Sequence, residues 1–147
     1  MIDKLSDILC SIYPLKEKDK DDLIKITRSI TLQPGDYWIS EGTVNKNKAF
    51  LEKGYLRKFF LKDGKEITDF FYFDSDFCSD LPSIITNTLP KAYVIAMKPT
   101  VLKVFSFEDY ARISQHSYHL EHLYRVILEQ TFVNFYYRTT SFILHDE

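Results

Sequence analysis

Cysteine is scarce: the chain holds two, Cys10 and Cys78. Two thiols cannot supply the four thiolates of an iron–sulfur sensor, and their separation matches no metal-ligand spacing. The opening residues Met1-Ile2-Asp3-Lys4 carry no signal-peptide apolar region, so the thiols read as reduced and the chain as cytoplasmic. A basic excess is also missing. Lysine and arginine number 19 against 21 acids, a net charge of −2, which gives no footing on a phosphate backbone. No apolar run approaches the roughly 20 residues a bilayer demands, so no membrane is implied. Low-complexity segments, internal repeats and linkers are absent as well.

Catalytic signatures are equally sparse. There is no nucleophile elbow, Walker loop or zincin motif. Of four histidines, none falls on an expected strand, which removes a cupin-like metal enzyme. His116, His119 and His122 recur three apart, a spacing that shares a face on a helix, but His116 precedes the N-cap expected at Ser117. The one close acid, Glu121, points elsewhere, so they read as solvated residues near a helix start. Asp74-Ser75-Asp76 with Asp80 resembles a cation loop loosely, but lacks its glycine and terminal glutamate. An enzyme is not expected, and no cofactor is required.

What is present is apolar and aromatic. Hydrophobic residues make up 45% of the 147 and aromatics 16%, which suits one domain with a well-buried core. Leu5, Ile8, Leu9 and Ile12 recur at helical spacing until Pro14 breaks the segment, and Leu15 to Ser29 reads as a second helix. From Ile30 the period changes to that of strands. Ile30 to Leu32, a Gln33-Pro34-Gly35-Asp36 turn and Tyr37 to Ile39 come first, closed by Glu41-Gly42. Ala49 to Leu61 is strand-forming around Gly54, whose place suggests a bulge or tight corner. Asp63-Gly64 supplies a hairpin turn before the strand Glu66 to Phe73, where the run Phe70-Phe71-Tyr72-Phe73 implies contacts on both faces. Lys91 to Met97 and Val101 to Phe105 give two more strands. This density of short strands and turns suggests a barrel, roll or sandwich.

After Phe105 the pattern returns to helix. Phe107-Glu108-Asp109-Tyr110 opens a short one, and Ser117 is a candidate N-cap for a long helix to about Ile143. That helix would be about 40 Å long. Leu120, Leu123, Tyr124, Ile127, Leu128, Thr131, Asn134, Phe135 and Arg138 fall along a broad stripe on it. The stripe exceeds what one small core needs and suggests a second copy of the chain as partner. Leu120, Leu123, Tyr124, Ile127, Thr131, Asn134 and Arg138 are its expected dimer residues. The final His145-Asp146-Glu147 reads as cut short, with neither glycine nor proline to end the helix.

Three segments together resemble the sensor half of Crp/Fnr transcription regulators. Leu32-Gln33-Pro34-Gly35-Asp36-Tyr37-Trp38-Ile39-Ser40-Glu41-Gly42 is similar to the family's opening turn, strand and second glycine turn. Leu51-Glu52-Lys53-Gly54-Tyr55-Leu56-Arg57 resembles its glycine–arginine corner, and Asp63-Gly64-Lys65-Glu66 its hairpin. Phe107-Glu108-Asp109-Tyr110 stands where the family's short helix follows the last strand. The likeness covers nearly the whole chain and is nearest a branch common in Bacteroidetes-type bacteria. It implies a mainly β fold: a double-stranded β-helix (a jelly-roll or β-roll of the cyclic-nucleotide-binding type) over residues 30–106. N-terminal helices would occupy 1–29, and C-terminal helices with the dimer helix 107–147. It also implies a homodimer that meets DNA only through a C-terminal helix-turn-helix, a pattern these residues lack.

The resemblance further implies a ligand pocket. Relatives that bind cyclic AMP carry a Phe-Gly-Glu-hydrophobic segment, a short helix and then an Arg-Ser or Arg-Thr pair. Glycine and backbone N–H groups approach the phosphate, arginine forks onto it, and glutamate holds the ribose. Here the stretch is Phe77-Cys78-Ser79-Asp80-Leu81-Pro82, and the arginine would fall near Pro90-Lys91-Ala92. Cys78 replaces the glycine and Ser79 the glutamate. Asp80 is one residue late, and Lys91 offers a point charge without a fork. A lost arginine–phosphate pair costs a few kcal/mol, or several decades of affinity. The expectation is therefore an unknown small-molecule effector in place of a cyclic nucleotide, or a ligand-free dimerisation module. Pocket candidates are Phe77, Cys78, Ser79, Asp80, Leu81, Lys91, Ala92 and Tyr93, with Phe60, Phe71 and Phe73 as further aromatic walls and Thr131 and Asn134 from the long helix. Thr131 and Asn134 read equally as a polar pair setting dimer register. Cys78 reads as a thiol sensor or as a buried, inert residue.

Overall fold

The structure, a computed structural model, describes residues 4–144. The readings placed on Met1 to Asp3 and on His145-Asp146-Glu147 lie outside those residues. Two helices come first, α1 (Lys4–Ile12) and α2 (Glu17–Ile26). Eight strands follow: β1 (Arg28–Leu32), β2 (Tyr37–Ile39), β3 (Asn47–Lys53), β4 (Leu56–Lys62), β5 (Lys65–Tyr72), β6 (Phe77–Cys78), β7 (Tyr93–Ala96) and β8 (Thr100–Ser106). A short helix, α3 (Leu81–Thr86), interrupts them after β6, and α4 (Phe107–Ser114) and α5 (Tyr118–Leu144) close the described chain.

The strands form two antiparallel four-stranded sheets, ordered β1-β8-β3-β6 and β2-β7-β4-β5. Between them lies an apolar core of Trp38, Ile39, Ala49, Leu51, Leu56, Val94, Ala96, Leu102 and Val104. A second core forms where the helices cover the first sheet. Phe50 and Phe105 meet Leu5, Leu9, Leu23, Tyr110, Leu120 and Leu123 there. Strand β3 serves both cores, because successive side chains point to opposite faces. Ala49 and Leu51 enter the inter-sheet core and Phe50 the helical one, all three almost fully buried.

Two turns explain the strand order. Asp63 and Gly64 both have positive φ, 53° and 77°, as a tight hairpin turn between β4 and β5 requires. At the β3–β4 corner Gly54 takes φ 138°, and a Cβ there would lie 2.7 Å from the Thr100 backbone. Asp74 Oδ1 accepts the Gly54 amide at 2.8 Å and Asp76 Oδ2 the Phe73 amide at 2.8 Å. These carboxylates thus pin a corner, and the cation-loop likeness has this structural cause.

The long helix starts where expected. Ser117 Oγ accepts the Leu120 amide at 3.2 Å and donates to Asp19 Oδ1 at 2.6 Å, tying the start of α5 to α2. The stripe on α5 is placed otherwise than the sequence suggests. Leu120 and Leu123 are fully buried in the chain's own helical core, so no partner can reach them. Tyr124 and Ile127 pack against that same core. Thr131, Asn134 and Arg138 continue the face toward the roll, lining a cavity. Large apolar side chains left exposed on α5 are Tyr118, Leu128, Phe132, Val133, Phe135, Tyr136, Tyr137, Phe142, Ile143 and Leu144. No helix among the described residues is long and apolar enough to cross a membrane.

Candidate functional site

The cavity has a volume of about 510 Å³. Its floor comes from β3, β5 and β6, one wall from α1, and its other wall is α5 from Leu123 to Arg138. A site of this size suits a small organic molecule. Much of its lining is apolar and aromatic, with Ile8, Ile12, Phe77, Phe105, Tyr110 and Ile127. Ser75, Ser79, Gln130, Thr131 and Asn134 add neutral donors and acceptors to it.

Three charged side chains line it: Lys48, Asp76 and Arg138. Asp76 is engaged by the Phe73 amide. Arg138 lies over the Phe70 ring, 4.1 Å from its centroid, and approaches Asp69 at 4.0 Å. Lys58 holds the same Asp69 at 3.1 Å. The Lys48 ammonium sits over the Tyr124 ring at 3.9 Å and faces the Phe107 ring at 5.4 Å. Among the described residues it forms no ion pair. Burial lowers its pKa from 10.5 to about 8, because the charged form has lost water without gaining an anion. The phenols of Tyr72, Tyr110 and Tyr124 are pushed up, in each case chiefly by burial.

The expected pocket residues divide into two sets. Phe77, Ser79, Leu81, Thr131 and Asn134 stand around this cavity. Cys78 does not: it turns into the inter-sheet core, where Trp38 Nε1 donates to its carbonyl at 3.2 Å. Burial pushes its thiol up to about 12, which leaves a neutral side chain unsuited to thiol sensing. Asp80 is spent on the N-terminus of α3, accepting from the Ser83 amide at 3.4 Å and the Ser83 hydroxyl at 2.8 Å. It is not free to imitate a ribose-binding glutamate.

Lys91, Ala92 and Tyr93 also lie away from the cavity. Val94 and Ala96 fill the inter-sheet core, so the alternation of β7 turns Tyr93 to the opposite face. There it stacks on Phe59 at 5.1 Å and meets Tyr37 edge-on at 5.7 Å. Phe71 and Phe73 pack on Tyr55, at 5.6 and 5.0 Å, away from the cavity. The pocket expected between Phe77 and Tyr93 is therefore replaced by one between Phe77 and α5. The residues that sequence reasoning passed over are Lys48, Tyr72 and the α1 pair Ile8 and Ile12. A lysine amid the apolar pattern of β3 was the available signal.

Among the described residues no group of three or more ligand-type side chains is placed to hold a metal ion. His122 lies against the Tyr13 ring at 4.3 Å and the Tyr118 ring at 5.7 Å.

No family model and no curated protein matches this sequence. Solved structures match in fold. A cyclic nucleotide-binding domain from Methylobacillus flagellatus KT superposes with a TM-score of 0.81 at 14% identity, covering 96% of this chain and 81% of that one. The sensor domain of the transcriptional regulator DNR from Pseudomonas aeruginosa gives 0.70 at 18%, covering 90% and 85%. The Thermus thermophilus catabolite activator protein gives 0.70 at 17%, covering 91% of this chain and 63% of its own length. The fold is thus a jelly roll of the cyclic-nucleotide-binding type with flanking helices and a long C-terminal helix.

Proposed function

We propose that this chain is the effector-sensing and dimerisation domain of a Crp/Fnr-like bacterial transcription regulator, a cytoplasmic binding protein and not an enzyme. DNA would be contacted only through a further C-terminal domain, as in a full-length regulator. The observation that carries the reading is the cavity between roll and α5, on a fold shared with regulator sensor domains. A ligand there would touch one side of α5 while the exposed aromatic side meets a second copy. Ligand and partner then act on one rigid element, and a ligand that prefers one arrangement of the two helices shifts the dimer between states. The open volume favours this over a ligand-free module, in which the chain's own side chains would fill the space.

The effector is not cyclic AMP held in the usual way. Between Asp80 and Ala111 the sequence contains no arginine, and Asp80 and Cys78 are engaged elsewhere. Isothermal titration of cyclic AMP and cyclic GMP checks this: neither should bind at micromolar strength. Micromolar binding of either would show that the cassette is rebuilt from other residues and would overturn this part of the reading.

A further inference from the structure

We infer that the cavity receives an amphipathic organic anion, its acidic headgroup held by the Lys48 ammonium and its apolar body lodged among Ile8, Ile12, Phe77 and Ile127. This names the ligand class for the site proposed above, and so rests on that reading.

The argument begins with the unmatched charge. Lys48 extends from β3, the strand shared by both cores, into the helical side of the molecule. Its neighbours are two aromatic rings, which soften the loss of water but supply no counter-charge. Lys48 is half-buried, and an ammonium that has lost part of its water without gaining an anion is held at a cost. The cavity walls carry two cations against a single carboxylate, and that carboxylate already accepts a backbone amide. Arg138 has its own acid and its own ring. Among the described residues Lys48 therefore has no anionic partner, and it lines open volume.

The rest of the lining fixes the body of the ligand. Around Lys48 the walls are aliphatic and aromatic, so a heavily hydroxylated or zwitterionic molecule would lose more water than it regains in hydrogen bonds. An apolar tail or ring system suits those walls. Ser79, Thr131 and Asn134 in the lining offer neutral hydrogen bonds. The anionic group itself is a carboxylate or a phosphate monoester; both pair with an ammonium at close range.

The test uses the whole chain and three matched probes below their micelle concentrations: decanoate, decyl phosphate and decanol. Binding is followed by titration and by the methyl resonances of Ile8, Ile12 and Ile127. The expected result is that at least one anion binds ten-fold or more tighter than decanol. In Lys48→Met that advantage should collapse to within about three-fold, while Lys48→Arg keeps most of it. Which anion wins distinguishes a carboxylate effector from a phosphate. Raising the pH from 7 to 10 should weaken the anion and leave decanol unchanged, because Lys48 gives up its charge. Tyr72, Asp76, Tyr110, Tyr124 and Arg138 are the other titratable or charged groups around it. Burial raises all three phenols, so they oppose ionisation as the pH rises. Equal binding of anions and decanol to the wild-type chain would overturn this inference and leave the cavity as a site. Failure of all three probes to move those methyl groups would overturn it together with the ligand-site reading.

Discussion

The two halves of α5 share a helix but not an environment. In its first turns Leu120 and Leu123 are fully buried, capped by the Ser117–Asp19 link and by the Tyr110 hydroxyl, which donates to the Leu120 carbonyl at 2.6 Å. In its second half Phe132, Phe135, Tyr136 and Tyr137 are each more than half exposed. The first half is held by the monomer's own core, whereas the second carries many exposed apolar side chains and faces the roll along Thr131, Asn134, Phe135 and Arg138. A helix that is hydrophobic all round is normally covered all round. The second half leaves its apolar side chains uncovered, which the proposed dimer would bury, and the cavity lies where the two regimes meet.

Substitutions should expose this contrast. Leu123→Ala removes a fully buried side chain and should cost roughly 2–5 kcal/mol of stability. Phe132→Ala should change monomer stability by less than about 0.5 kcal/mol, since its side chain is already in water. Urea unfolding of both variants, at concentrations too low for association, checks the pair. Equal costs would erase the distinction between the halves.

The floor beneath the first half carries a pH signature. Lys48 releases its proton near pH 8 in the folded chain, while the unfolded chain holds it to about 10.5. Between those values the unfolded state binds more protons, so stability rises with pH, by about 1–3 kcal/mol. Above pH 10 the trend reverses. The raised phenols of Tyr72, Tyr110 and Tyr124 then ionise only in the unfolded state. Lys48→Met should abolish the rise and keep the fall, as followed by thermal melts across the range.

Smaller effects follow. Ser117→Ala removes the cap of α5 and its tie to α2, and should cost about 1–2 kcal/mol. Lys91→Ala, at an exposed position away from the cavity, should leave stability and anion binding unchanged. A measurable loss of anion binding in Lys91→Ala would return the binding site to the region the sequence comparison favours.

Much of the architecture was legible in the sequence because local chemistry and tertiary structure agree there. Asp63-Gly64, Gly54 and Ser117 mark real boundaries, whereas the helix read to Ser29 ends at Ile26 and the first strand already begins at Arg28. The site was legible only in part. Strand parity decides whether Tyr93 or Val94 faces inward, and one residue of offset sends every side chain to the other face. In β5 a bulge opposite Lys58 and Phe59 sets Phe70 and Tyr72 toward the cavity and leaves Phe71 outside. Of the stripe from Leu120 to Arg138, Leu120 and Leu123 belong to the chain's own core, while Leu128, Thr131, Asn134 and Phe135 stay exposed. Apolar residues on every side of a helix carry no label saying which side meets its own chain.

The most direct measurement is sedimentation equilibrium of the wild-type chain and of Phe132→Glu/Tyr136→Glu across a dilution series, with helix content followed by circular dichroism. The account predicts a wild-type dimer, and a double variant that is monomeric yet keeps its helix and its Leu123 core. A wild-type chain that stays monomeric at every concentration, or a double variant that dimerises as the wild type does, would contradict it.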